Sequence, residues 1–449
     1  MTPRAATHAA PARPRLAAQV LVWLGLGLCL AQGPATAHAA AVDLLGIWQQ
    51  ARSADPVLSE AEARRGLQLE RSVQARAPLL PQLQATADDT RGTADGQRSQ
   101  AVGAQLTQVL FDLGRLRSWE AERTLASAQA ARVRAAEQDL AARVVRAYFG
   151  LLSAQAALAT ARTNEAAYAQ QATLSQARFE AGLAAQVDVE QSRTYHALAQ
   201  GGTVLAQQAV ASAGAALAEV TGQPAPALRP LARLLPALPP EPADVQAWVD
   251  HALQAHPQLE ALRLGVAAGE RRIAAARAAH APTVSASLDS QRASGPAVPD
   301  ATRGRSQTLL AVRLTVPLFA GGATASGVRA AAHEREALEQ ALEAERRARV
   351  REVQTQHQAV WSGVVWLQST AAAVAAAESA LTATRSGLAL GTRSNTDLLL
   401  AIQTQAQAQR AHDEARHATV LARLLLQHAA GTLGEAELTA ANRLLQGEP

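Results

Sequence analysis

The feature that most limits what this chain can fold into is an internal duplication. Asp55-Pro56 is followed by Arg76 and Pro81, and His256-Pro257 by Arg277 and Pro282, each pair separated by one common step. Val109-Leu110-Phe111 matches Pro317-Leu318-Phe319, Gly182 and Asp188 match Gly391 and Asp397, and Gly222 matches Gly431. One long unit is therefore written twice, so a single architecture must accommodate two copies of it. The proline-rich stretch from Gln223 to Pro242 joins them and reads as a linker. The chain divides into a leader (1–39), a first repeat (40–222), the linker (223–243), a second repeat (244–435) and a C-terminal tail (436–449).

Within each unit the hydrophobic period changes. Residues from about Leu44 to Ala77 read as one helix, ended by Pro78 and Pro81. The period then drops to two. Val102, Ala104 and Leu106 alternate with Gly103, Gln105 and Thr107, and Val284, Ala286 and Leu288 alternate with Ser285, Ser287 and Asp289. Leu310, Val312, Leu314 and Val316 alternate likewise, and Gln82 to Asp89 reads as a weaker fourth strand. Polar loops at 90–100 and 291–307 separate the strands of each pair.

Two very long helical stretches follow the strand pairs, from about Leu113 to Ala181 and from about Ser326 to Leu390. At ~1.5 Å per residue each is a rod on the order of 100 Å long. Leu140, Val144, Ala147, Leu151, Ala154 and Leu158 keep the four-three spacing of a coiled-coil seam, and Val353, Val360 and Leu367 continue it in the second unit. Gly182 and Gly391 then break the rods at interhelical turns, and a returning helix runs to about Val220 and Ala430. The alanine- and leucine-rich composition, with 3% aromatics, suits such helices. The fold class is α+β: long coiled-coil helices with four β-strands per chain.

Arginines precede an apolar run from Leu16 to Ala31, and Ala35-Thr36-Ala37 and Ala37-His38-Ala39 offer small-x-small cleavage sites, as in a secretory signal peptide. The single cysteine, Cys29, lies in this leader behind Leu28, where lipid attachment needs a small residue. No disulfide framework follows from one cysteine. No later stretch reaches the apolar length expected of a spanning helix, so a membrane crossing is expected to use strands. There is no lysine, the formal net charge is +4, and Arg4, Arg13 and Arg15 of that total are in the leader. A nearly neutral remainder gives no basis for nucleic-acid binding.

Four strands cannot close a barrel, and open edges are not tolerated in lipid. The strands must be pooled with identical copies, although periodicity does not give the number of copies.

Several stretches in this order resemble the TolC-like family of trimeric outer-membrane efflux channels. They are the run from Gln74 to Leu83, the run from Gln105 to Asp112, Arg178-Phe179-Glu180-Ala181-Gly182-Leu183 and Pro317-Leu318-Phe319-Ala320-Gly321-Gly322. Gly391-Thr392-Arg393 followed by Asp397-Leu398-Leu399 completes the set. The resemblance implies a homotrimer whose pooled strands form a twelve-stranded barrel in the outer membrane of a Gram-negative bacterium. It implies an α-helical barrel reaching into the periplasm, and docking to a periplasmic adaptor bound to an inner-membrane ABC or proton-driven transporter. It implies a passive conduit with no enzyme activity and no cofactor.

At the turns, Asp397 has two readings. One is a carboxylate in a first helical turn, favoured by the helix dipole, and Asp188 occupies the same place in the first unit. The other, implied by the resemblance, puts Asp397 in a ring at the periplasmic mouth, with Arg393 in the network that keeps the entrance shut. Where that family carries a further acid and a gate tyrosine, this chain has Leu400 and Leu388. His412 and His417 are spaced to face different sides of a helix, and no catalytic motif is present. Trp119, Trp361 and Trp366 read as packing residues, and the aromatic girdle usual for a barrel is weak. Export of a protein through a type I system, efflux of small compounds, and a pore-free periplasmic coiled coil are the alternatives; the missing lipid site leans toward the first.

Overall fold

A computed structural model describes residues 41–92, 97–233, 235–236, 239–296, 298, 302 and 304–445. The leader and Cys29 lie outside them. The first unit contributes α1 (Leu44–Ala54), α2 (Pro56–Arg76), β1 (Gln82–Arg91), β2 (Arg98–Phe111), α3 (Leu113–Glu180) and α4 (Gln186–Thr221). The second contributes α5 (Val245–Ala255), α6 (Pro257–Arg277), β3 (Thr283–Ser294), β4 (Ser306–Thr315), α7 (Ala323–Ala389) and α8 (Asn395–Ala430), and α9 (Glu435–Asn442) follows. The units repeat element for element. The rods hold 68 and 67 residues, so each spans on the order of 100 Å.

The helix expected over residues 44–77 is two helices. Asp55 is extended and its carboxylate accepts the Leu58 N–H at 2.8 Å, while Pro56 takes the first position of α2, where its missing N–H costs nothing. His256 and Pro257 repeat the device, with His256 Nδ1 accepting the Gln258 N–H at 3.2 Å. The stretch read as a tail begins with a helix, α9. Leu438 and Ala441 of α9 are buried, and Asn442 donates to Asp43 Oδ2 at 2.7 Å and accepts the Leu44 N–H at 3.1 Å, tying the end of the second unit to the start of the first.

All four strands form one antiparallel sheet in the order β1-β2-β3-β4, with a register shift between Val109 and Phe111. Leu83 faces Leu106, Leu106 faces Leu288, and Leu288 faces Leu310, so one face is a continuous apolar band. Gln84 faces Gln105 and Gln105 faces Asp289 on the other, and the Gln84 amide donates to Gln105 at 2.7 Å. Leu83 and Leu310 are 76% and 71% exposed in the single chain. The outer edges of β1 and β4 pair with no strand among the described residues.

The main core lies about halfway along the rods. Leu140, Val144, Tyr148, Phe149 and Leu151 of α3 are buried against α1, α4, α8 and α9. Tyr148 donates its hydroxyl to the Arg229 carbonyl at 2.9 Å, and Val42 pairs with Leu228 and Leu231 with Leu445, so the linker is pinned to this core. Val353, Val360 and Leu367 are buried as the seam requires. Trp361 and Trp366, expected to pack, are 42% and 38% exposed in the single chain. One 18-residue window in each of α3 and α7 is apolar enough by composition to cross a membrane, contrary to expectation. These windows lie inside rods that pack laterally on other helices.

The caps give two predictions. Asp55 is 1% exposed and held by both guanidinium nitrogens of Arg143 at 2.7 and 2.9 Å, which keeps its carboxyl below the ordinary 3.8 despite burial. Asp55→Ala removes the cap and strands Arg143, so chemical denaturation should show a loss on the order of 2–3 kcal/mol. His256, desolvated and beside Arg349 and His428, is pushed from 6.5 to about 4, with Asp139 opposing the shift. A base with a depressed folded pKa is protonated first in the unfolded chain. The His256 contribution is therefore full above 6.5 and lost as pH falls toward about 4. His256→Asn, which keeps the cap, should flatten the thermal midpoint over that window.

Candidate functional site at the hairpin ends

The ends of the two helical hairpins gather the residues singled out in the sequence. Gly182 and Gly391 adopt φ of 73° and 75°, a conformation that side chains resist, and reverse the chain within a few residues. The Leu183 N–H bonds the Arg178 carbonyl at 2.8 Å, and the Thr392 N–H bonds the Gly387 carbonyl at 2.8 Å, closing the last turn of each rod.

Asp397 completes a capping box. Its Oδ2 accepts the Ser394 N–H at 3.0 Å while Ser394 Oγ accepts the Asp397 N–H at 3.1 Å. These bonds, with the nearby charge of Arg393, hold its carboxyl below the ordinary carboxylate range. Asp188 repeats the position, accepting the Ala185 N–H at 3.3 Å. Arg393 forms no ion pair with Asp397 among the described residues; its stem lies over Gly387, where an added Cβ would approach Arg393 Cγ to 2.6 Å.

The face of α8 explains what Leu400 and Leu388 do. Asp397, Leu400 and Thr404 follow one another at three- and four-residue steps along α8, with Arg393 in the turn just before it, and Leu400 is 56% exposed. Leu398, Leu399 and Ile402 point the other way and are buried with Tyr168, Ala199 and Leu381, and Leu388 packs against that cluster. Leu400 thus belongs to the open stripe and Leu388 to the dry side.

Sequence reasoning missed a buried polar cluster behind this stripe. Gln171, Ser175, Ser192 and Asn395 are all under one-tenth exposed. Gln171 Nε2 donates to Asn395 Oδ1 at 2.7 Å, and Asn395 Nδ2 donates to Ser192 Oγ at 3.0 Å and to the Asp188 carbonyl at 3.1 Å. Polar residues at seam positions of α3 were the available signal. No group of three histidine, cysteine or acidic side chains suited to a metal occurs among the described residues. His412 lies against Thr370, and His417 bonds the Asp413 carbonyl.

Comparison with known proteins fits this geometry. The family described as Outer membrane efflux protein matches residues 47–223 and 248–432, one match in each unit. The chain is 29% identical over 428 residues to "Outer membrane protein TolC" of Vibrio cholerae, covering 93% of this chain and 97% of that protein. It is 29% identical over 388 residues to "Alkaline protease secretion protein AprF" of Pseudomonas aeruginosa, covering 82% and 80%. The solved outer membrane protein VceC of Vibrio cholerae superposes with a TM-score of 0.74 at 19% identity, covering 86% of this chain and 96% of that one. The protein is placed in the outer membrane of a Gram-negative cell, extending into the periplasm. This chain belongs to the outer membrane efflux protein family, the TolC-like channels, which are passive conduits and not enzymes.

Proposed function

We propose that the protein works as a homotrimer, a duct through which a separate inner-membrane transporter, coupled by a periplasmic adaptor, exports its cargo. The observation that carries this reading is the four-stranded sheet, with a continuous apolar face and two edges that are unpaired among the described residues. In lipid those edges need partners, and copies of the same chain supply them: β1 of one protomer lies beside β4 of the next. Three chains give roughly twelve strands, within the range of barrels that leave a lumen. The leader (1–39) directs export, and the repeats (40–222 and 244–435) each lend one strand pair and one hairpin.

The cargo we favour is a protein, through a type I secretion system. The AprF relative, a protease secretion protein aligned over most of its length, supports this choice. Efflux of small compounds by a proton-driven assembly is the second reading, favoured by the family's efflux description.

The open stripe of α8 would line the periplasmic entrance. Three Asp397 carboxylates, kept ionised by their caps, form a cation-attracting ring with three Leu400 side chains one turn deeper as an apolar constriction. Arg393, unpaired with Asp397 in its own protomer, would reach an acceptor on a neighbour, with Asp188 among the acids at the same level. The dry packing of Leu388 replaces a polar lock at that position.

In planar bilayers, Asp397→Asn should lower cation preference and weaken block by multivalent cations. Arg393→Ala should raise conductance, and both effects should shrink at high salt because exposed charges are screened beyond about 3 Å at 1 M. Unchanged conductance and block in both variants would remove the gate assignment. A monomer in the soluble periplasmic fraction would remove the channel itself.

A further inference from the structure

The apolar face of the sheet finishes differently at its two ends. Directly paired residues share a face, so the apolar face of β1 carries Leu83, Ala85 and Ala87, followed by Asp89 and Arg91. On β2 it carries Leu106, Ala104 and Val102, then Gln100 and Arg98; on β3, Val284, Ala286 and Leu288, then Ser290 and Arg292. Arg292 pairs with Val102, so the apolar run sits nearer the helices on β3 than on β2, as the strand tilt of a barrel requires. Each arginine stands four residues beyond the last apolar member of its own strand (91 − 87, 102 − 98 and 292 − 288). The three thus share one level, about 13 Å along the strands from the apolar run.

These hairpin ends point away from the helices, and so out of the cell. At the other end Phe111, the one aromatic in the four strands, lies opposite Val284 on the same apolar face. It is 13 residues along β2 from Arg98 (111 − 98). That is roughly 40 Å of strand and roughly 30 Å of height in a tilted barrel, enough to reach from one membrane boundary to the other. Phenylalanine marks the inner boundary and arginine the outer.

Charge at the outer end is unbalanced. Arg98 holds Asp89 with two guanidinium nitrogens at 2.8 and 2.9 Å. Arg91 lies directly opposite Arg98, a like-charge pair that destabilises a sheet. Neither Arg91 nor Arg292 forms an ion pair among the described residues, and both are exposed. The other face at this end carries Asp88, Thr90, Ser99, Gln291 and Gln307, and no arginine.

We propose that Arg91, Arg98 and Arg292 form a phosphate-binding row on the lipid side of the barrel, which takes the phosphorylated glycolipid of the outer leaflet. A guanidinium matches phosphate oxygens with paired, charge-assisted bonds, and a phosphate beside Arg91 and Arg98 relieves their repulsion. The acyl chains of the same molecule lie along the apolar run below, which makes a lipid and not free phosphate the ligand. The inference rests on the pooled barrel proposed above, because it needs this face in lipid.

The test uses the full-length protein in detergent micelles, with bisphosphorylated lipid A and its dephosphorylated form as probes and retained lipid counted by native mass spectrometry. The wild type should hold the phosphorylated lipid on the order of tenfold more tightly, and excess inorganic phosphate should not displace it. Arg91→Gln with Arg292→Gln should abolish that preference, while Arg313→Gln, on the lumen face, should keep it. Asp89→Asn frees Arg98 and should tighten retention, a gain that a folding defect does not produce. Equal retention of the two lipids by a wild type that conducts in planar bilayers would overturn the inference and leave the duct standing. A double variant that keeps the preference would overturn it too, as would displacement by inorganic phosphate. A wild type that neither conducts nor retains either lipid would end both readings.

Discussion

The structure depends on one constraint, the hydrogen-bonding demand of backbone at the edge of a sheet. Inside hydrocarbon no water satisfies a free N–H or C=O, so a sheet that faces lipid must close on itself. Among the described residues this chain supplies four strands, an apolar face running from Leu83 through Leu106 and Leu288 to Leu310, and two unpaired edges. Each strand pair is bracketed by helices of the same unit, so whatever assembly closes the sheet also arranges the rods around the same axis. The duplication makes that arrangement economical, since one supersecondary unit used twice sets both the strand pairs and the hairpins.

The helical part divides its labour between dry and polar contacts. Around Tyr148 and Phe149, the core gathers α1, α9, the linker and the middle of the rods, and here apolar burial dominates. At the ends of the rods the apolar cluster is smaller, formed by Tyr168, Leu381, Leu398, Leu399 and Ile402 with Ala199. There the arrangement is set by hydrogen bonds with definite geometry: the Ser394–Asp397 box, the turns at Gly182 and Gly391, and the cluster around Asn395. Such contacts contribute modest net stability but leave a large cost when one partner is removed, so they specify register more than they add to stability.

Much of this was legible in the residues. Alternation identified all four strands, glycine at equal steps located both turns, and the four-three spacing named seam residues of which Leu140, Val144, Leu151, Val353, Val360 and Leu367 are buried and Ala147, Ala154 and Leu158 half-buried. The break at Asp55 escaped notice because the helical period continues across it; only the cap geometry separates α1 from α2. The terminal helix α9 escaped because its burial depends on Asn442 meeting Asp43 from the far end of the chain. Trp361 and Trp366 sit at plausible seam positions, yet rotation about the helix axis leaves them exposed in the single chain.

The sequence by itself determined the duplication, the element order and the glycine turns. These follow from local periodicity and from backbone chemistry, which act over a few residues at a time. The tertiary structure alone decided which polar residues face one another. Gln171 and Asn395 lie 224 positions apart and bond at 2.7 Å because a rod and a returning helix from different repeats meet there. It likewise decided that Leu388 turns inward and Leu400 outward, because helical phase relative to a neighbour is set by packing and not by spacing within one helix.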